Sequence, residues 1–225
     1  MELDAKIRHF LSKTPAESEN SENLELDNLL TENGNNNKFR AKASVAVILF
    51  QQQNSINVLL TKRSETLRSH PGETAFPGGK QDPEDSQNSD LDPEVVCALR
   101  EMNEEIGLAK NMVKKLDVPM CKQISKYGIL VTPVVFELDK SVVETLPAPG
   151  VPFDESLVGG DFFKINSDEV DCLFHLPLDV FMRKSYLVHA SWWEWEDELG
   201  MDFIKFNFTS RFLNCPVVSG LTMRF

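Results

Sequence analysis

Phe76-Pro-Gly-Gly-Lys80, an acidic spacer, and Ala98-Leu-Arg-Glu-Met-Asn-Glu-Glu-Ile-Gly-Leu108 are the stretch that decides how this chain is read. Its second half has the pattern of a helix. Asp92 suits an N-cap, Pro93 the first helical position and Glu94 the positive end of the dipole, and Gly107 is placed to end the helix. On such a helix Val95, Ala98, Leu99, Met102 and Ile106 form the apolar side, while Glu101, Glu104 and Glu105 stand at i, i+3 and i+4 with their carboxylates together. Three crowded acids repel one another, and a hard divalent cation with oxygen ligands relieves that repulsion, which points to Mg2+ or Mn2+. Arg100, four residues before Glu104, can pair with it. Gly78 and Gly79 allow a tight turn that backs closely onto a metal or a phosphate.

An acidic triplet on a helix is by itself an ordinary solvated face. The context changes that reading: Gly-Gly, a spacer, then Arg-Glu-hydrophobic-x-Glu-Glu-x-Gly-hydrophobic resembles the box of the Nudix hydrolases, matched at Arg100, Glu101, Met102, Glu104, Glu105, Gly107 and Leu108. The spacer is longer than the family's, with 20 residues between Gly79 and Arg100. Counted back from Arg100, the acid that the family carries in the spacer falls on Asp92, and Asp85 to Asp92 reads as an acidic surface loop that takes up the extra length.

Just upstream lies Leu59-Leu-Thr-Lys-Arg-Ser-Glu-Thr-Leu-Arg-Ser-His-Pro-Gly-Glu-Thr-Ala-Phe-Pro-Gly-Gly79. Lys62, Arg63, Arg68, His70 and Lys80 gather positive charge directly before the acidic box, in a chain whose net charge is −12. Scattered Lys and Arg are most often solvated surface. This stretch, however, resembles the signature of the coenzyme A diphosphatase branch of the family, departing only at Thr74, where the branch has valine. Coenzyme A carries a 3′-phosphate besides its diphosphate, and forked or point contacts from Arg or Lys suit both. His70 has two open readings, a phosphate contact or a residue that holds its loop in shape.

Composition bounds the rest. At 225 residues and 41% hydrophobic content the chain suits one core domain with an appendage. A net charge of −12 and a pI near 4.8 argue against a nucleic-acid partner. Cys97, Cys121, Cys172 and Cys215 show no metal-ligand or disulfide spacing, and Cys97 reads as a small core residue. No apolar run approaches the roughly 18 residues of a membrane span, and the acidic N-terminus lacks a leader pattern, so an intracellular soluble protein is expected. Relatives in the branch work in peroxisomes or mitochondria, whereas Thr222-Met-Arg-Phe225 is no Ser-Lys-Leu tail.

Along the chain, residues 1–38 read as a short amphipathic helix (Leu3, Ile7, Phe10, Leu11) and a polar arm, with the catalytic domain over 39–225. Val45 to Phe50 and Ile56 to Thr61 predict a hairpin around a polar turn. Val113 to Asp117 and Lys122 to Ile124 flank a short connection, and Tyr127 to Phe136 predicts a strand, with Pro133 at an edge or bulge. Residues 144–163 read as a long loop bordering the pocket. Glu169 is a downstream acid near the site or a helix cap, Ser191-Trp-Trp-Glu-Trp195 an adenine stack or packing, and Asp179 to Lys184 a helix. Phe203 to Phe208 alternates like a strand, and the branch's closing Gly-Leu-Thr at residues 220–222 implies a further helix beyond Phe225.

The resemblance covers about residues 40 to 222. It implies an α/β fold, the Nudix α/β/α sandwich with a mixed sheet, and a Mg2+- or Mn2+-dependent hydrolase that splits coenzyme A or its derivatives into 3′,5′-ADP and 4′-phosphopantetheine. Glu101 and Glu105 bind the metal in that reading, Glu104 is a third ligand or the group that handles water, and Arg100 holds the acids. Lys62, Arg63, Arg68, His70, Gly78, Gly79 and Lys80 line the substrate. The runners-up are hydrolysis of another nucleoside diphosphate derivative, such as ADP-ribose, NADH or a diadenosine polyphosphate, and a non-catalytic binding module of the same fold.

Overall fold

A computed structural model describes residues 3, 5–7, 39–87, 90–118, 120, 122–125, 127–158 and 161–182, and the backbone of 194–196, 202–204, 207–208 and 218–219. The hairpin forms as the alternation of apolar residues requires. Strand β1 (Ala41–Gln52) and β2 (Ser55–Arg63) pair antiparallel from Leu49 opposite Val58 to Gln52 opposite Ser55. Gln53 and Asn54 both have positive φ, as a type I′ turn demands.

Beyond Val58 the two strands part, and the loop ahead of the box fills the gap. Strand β3 (Thr74–Ala75) pairs with β2, and β4 (Gly78–Lys80) pairs with β1 at Ala43–Val45. On its other edge β1 runs parallel to β7 (Ile129–Leu138), which in turn carries β5 (Val113–Lys115) and β6 (Gln123–Ile124). The strand β8 (Val170–Pro177) pairs with the outer edge of β2. The sheet is therefore mixed and open.

Both faces are covered, so the strands are apolar on both sides. Ala46, Ile48, Phe50, Leu59, Val134, Phe136 and Leu173 face helix α1 (Pro93–Ile106), which contributes Val95, Ala98, Met102 and Ile106. Val47, Leu49, Val58, Leu60, Val135, Phe174 and Leu176 face the other way, against Leu3 and Ile7 and against Val180 of α3 (Asp179–Met182). The N-terminal Leu3 and Ile7 are thus packed onto the domain rather than held apart from it, while 8–38 lies outside the described residues. Helix α1 runs from the N-cap Asp92 to Gly107, whose φ of 69° ends it, as expected, although the Asp92 side chain makes no capping bond. Among the described residues no helix is long and apolar enough to cross a membrane.

One expectation needs correction. Strand β7 is internal, not an edge. Pro133 is accommodated because Ile129 and Val135 turn their carbonyls toward Ser125 and Leu116, so the proline, of the same parity, turns its nitrogen to the gap between β6 and β5. The stretch 144–163, which follows the short helix α2 (Lys140–Val143), is a loop as expected, and it also covers the core: Leu146, Phe153, Val158 and Phe163 are buried in it, and Phe153 bridges Leu173. His175 pins this cover, with Nε2 donating to the Pro147 carbonyl (3.0 Å) and Nδ1 3.3 Å from Asn57 Oδ1. The helix expected at Asp179 to Lys184 is described over Asp179–Met182. The strand expected at Phe203 to Phe208 is described as two pieces, Asp202–Ile204 and Asn207–Phe208, paired with Glu194–Glu196 and Val218–Ser219. Trp192, Trp193, Cys121 and Cys215 lie outside the described residues.

Met102 is fully buried between α1 and the sheet. Met102→Ala should cost about 2–5 kcal/mol in denaturant unfolding, since the helix and β1 cannot close the cavity fully. Burial holds the His175 pKa below its ordinary 6.5. The unfolded chain therefore takes up the proton first, and this contribution to stability is intact above pH 6.5 and is lost as pH falls below it. Unfolding measured from pH 7.5 to 5 should show a shallower acid loss for His175→Gln than for the unaltered chain.

Candidate active site

The parting of β1 and β2 brings Gly78 and Gly79 against α1, in the strand β4 and not in the turn that the sequence suggests. A Cβ on Gly78 would collide with the backbone of Ser44 and Val45, which requires glycine there, and one on Gly79 would displace the Glu101 carboxylate. The Gly78 N–H donates to Glu105 Oε2 at 3.2 Å. Glu105 is nearly enclosed, with a side chain 4% exposed, and Glu101 is 15% exposed, whereas Glu104 stands at the rim at 54%. The strand and the two inner acids thus meet, and the third acid reaches them through an arginine.

That arginine is Arg100. Its Nε and Nη2 each lie 3.0 Å from an oxygen of Asp85, a two-pronged pair. Nη1 donates to Glu101 Oε1 (2.9 Å) and Glu104 Oε2 (3.0 Å), and Nη2 also donates to the Lys80 carbonyl (3.0 Å). The Asp85 carboxyl is held below the usual carboxylate range by Arg100, and the guanidinium itself is raised further above neutrality by the same partner. Asp85 is buried, 2% exposed, and its Oδ2 accepts from the Asp82 N–H at 2.8 Å.

This corrects the reading of the spacer. The acid that serves the box is Asp85, not Asp92, and the extra residues lie after it, between the 3-10 turn Pro83–Ser86 and α1. Asp92 only begins the helix. Counting forward from Gly79 instead of back from Arg100 would have found Asp85.

Burial sets the electrostatics. It pushes Glu105 up to about 8, against the opposing pull of Arg63 and the Gly78 N–H, and it raises Glu101 as well. Glu169 adds its negative charge to the push on both. The loop that brings Glu169 here is tied to the end of α1: the Lys164 and Asn166 N–H groups donate to the Ile106 and Glu105 carbonyls (both 2.9 Å), and Ser64 N–H donates to the Glu169 carbonyl (2.9 Å). Cys97 is fully buried with its Sγ donating to the Gly79 carbonyl at 3.6 Å, and burial raises its thiol to about 11, in keeping with a core role.

The donor set is all carboxylate oxygen, with Glu105 buried and Glu101 largely covered, and a hard divalent cation suits that chemistry. Among the described residues no three acid, imidazole or thiol side chains converge as a ready metal group, and Glu101 and Glu104 are paired with Arg100.

The basic residues are spread around this centre. Arg63 Nη1 lies 3.8 Å from Glu105 Oε1. Lys62 Nζ is held by Asp171 (2.9 Å) and Glu65 (3.0 Å), and His70 Nδ1 by Glu73 Oε2 (2.9 Å) at a positive φ of 55°. Arg68 and Lys80 are exposed. The loop-holding reading of His70 thus has a partner in the fold, and Tyr127, which sequence reasoning passed over, stands edge-on to its ring at 6.2 Å.

Comparison with known proteins agrees with the box. The NUDIX domain matches residues 40–159. Over 184 residues the chain is 29% identical to the peroxisomal coenzyme A diphosphatase of Mus musculus, a match covering 76% of this chain and 66% of that protein. It is 33% identical over 144 residues to Nudix hydrolase 3 of Caenorhabditis elegans (64% of this chain, 50% of that one). It is 32% identical over 174 residues to an uncharacterized Nudix hydrolase, NudL, of Yersinia pestis (75% and 77%). The first two matches span half to two thirds of those relatives' own lengths. With the domain matched over more than half of its length, the chain belongs to the NUDIX domain family.

Proposed function

We propose that this Nudix chain is a metal-dependent diphosphatase acting on coenzyme A or one of its derivatives, yielding 3′,5′-ADP and 4′-phosphopantetheine or its acylated form. The observation that carries the reading is the closure of Glu101 and Glu105 against Gly78 and Gly79, with a basic strand and loop alongside. The choice of coenzyme A rests on the signature at residues 59–79 and on the name of the mouse relative.

In this reading water adds across the P–O–P bridge: its oxygen bonds to one phosphorus as the bridging bond breaks, and its proton passes to a carboxylate. Glu101 and Glu105, with Glu104 as a third ligand or as the group that orients water, would hold Mg2+ or Mn2+, which would supply charge neutralisation and a more acidic water. Arg100 fixes the direction of Glu101 and Glu104, and Asp85 fixes Arg100. Glu169, negative and beside both inner acids, is the downstream candidate for the proton acceptor. The basic stretch from Lys62 to Lys80 receives the anionic substrate, its arginines offering forked contacts.

The test is product chromatography with Mg2+ or Mn2+ over coenzyme A, an acyl form, ADP-ribose, NADH and a diadenosine polyphosphate. Release of 3′,5′-ADP from coenzyme A is expected, and its absence would sink the substrate assignment. Glu105→Gln should lower turnover by about a hundredfold or more while the melting temperature holds. A mutant as active as the unaltered chain refutes the role given to the box.

Asp85→Asn removes the charge that aims Arg100 and leaves the chemistry's own groups in place. Weakening of Mn2+ binding by about 10–100-fold, followed by calorimetry, is expected from a lost outer-shell partner. Unchanged Mn2+ affinity would mean that Arg100 needs no such anchor.

A further inference from the structure

Lys62 and Arg63 are neighbours on β2 and face opposite sides of the sheet. Lys62 spends its charge on Asp171 and Glu65, and both contacts raise its pKa. Arg63 is placed differently. The β2–β8 register slips between the two, Lys62 lying opposite Cys172 and Arg63 opposite Val170, so Asp171 is left over. An irregularity of this kind re-aims a side chain. Here it turns Arg63 inward over Glu105, with its backbone held by Glu73 (N–H to carbonyl, 2.9 Å) and the next residue held by Glu169 (2.9 Å).

The guanidinium is underused where it lies. Its one ion pair among the described residues, to Glu105, is 3.8 Å long, beyond hydrogen-bond reach. Its Nε is buried and has no hydrogen-bond partner among the described residues. A fork of five donors with a buried one unmet is a costly arrangement unless an acceptor arrives. Arg100, the other guanidinium of the site, has its fork filled by Asp85, Glu101, Glu104 and the Lys80 carbonyl.

We propose that Arg63 is the residue that grips the diphosphate of the substrate beside Glu105, and that Lys62 and His70 are positioning residues that hold the strand and loop which aim it. The assignment deepens the diphosphatase reading and rests on it for the identity of the anion. A terminal 3′-phosphate is not what Arg63 receives, because it stands over the acids where the bridge is cut and not at the rim, where the exposed Arg68 and Lys80 are.

The probe is inorganic diphosphate with Mg2+, titrated calorimetrically into the full chain. Arg63→Ala should weaken binding by about tenfold or more, and Arg63→Lys, which keeps a point charge but loses the fork, should fall between it and the unaltered chain. Lys62→Met should lose less affinity than Arg63→Ala while lowering the melting temperature. On the substrate turned over, Arg63→Lys should raise KM more than it lowers kcat.

Unchanged diphosphate affinity in Arg63→Ala, or in Arg63→Lys if the alanine protein does not fold, overturns the proposal. So does a larger loss in Lys62→Met, or an unaltered chain that binds no diphosphate. Arg63-dependent binding without release of 3′,5′-ADP from coenzyme A would instead sink only the substrate assignment and leave the grip standing.

Discussion

A buried acid destabilises a fold unless something positive meets it, and for Asp85 and the largely covered Glu101 that something is Arg100. Its five donors are divided among Asp85, Glu101, Glu104 and a backbone carbonyl, all within 3.0 Å. Removing any acid from that set changes where the others point. The pair with Asp85 is the most enclosed, and the pair with the exposed Glu104 is screened by water and contributes little on its own. Arg100 therefore acts less as a source of net stability than as a device that fixes direction.

Direction matters because the backbone comes so close. The sheet opens between β1 and β2, β3 and β4 enter the opening, and β4 carries Gly78 and Gly79 to the acids of α1, with Arg100 Nη2 bonded to the carbonyl of the next residue, Lys80. A helix that slid by one residue would lose both contacts, so the apolar stripe of Val95, Ala98, Met102 and Ile106 that seats α1 also sets the geometry of the site. Packing and chemistry are here the same constraint.

This coupling explains what could be read from the amino-acid order. The helix, its ends and the hairpin were legible, because periodicity and caps are local signals and the 3.6- and 2-residue repeats in these segments are strong. Asp85 was misplaced because a spacer of unusual length can be counted from either end, and only the fold says which end is anchored. Pro133 was half-read: the missing N–H did demand a free edge, but the edge is a gap between two short strands beside an internal one. The cover formed by Leu146, Phe153, Val158 and Phe163 has no period to detect, so its burial had no sequence signature. Lys62 and Arg63 looked equivalent in the sequence, and what separates them, a slip in strand register, is a tertiary fact.

The net charge of −12 sharpens that difference. A chain so acidic offers an anionic substrate little general attraction, and its own acids take up cations that would otherwise serve one, as Asp171 and Glu65 take Lys62 and Glu94 takes Lys122. Affinity must then come from a cation that the fold prevents from being satisfied. Carboxylates are abundant, so keeping one away from a buried Nε takes a specific device: the strand irregularity that leaves Asp171 on the Lys62 side and turns Arg63 toward Glu105 across 3.8 Å. Glu105 in turn is kept from closing that distance by the Gly78 N–H, which holds its other oxygen. The same strand that admits the inner acids thus also keeps the arginine open, and the site's readiness for an anion follows from how its own charges are prevented from pairing.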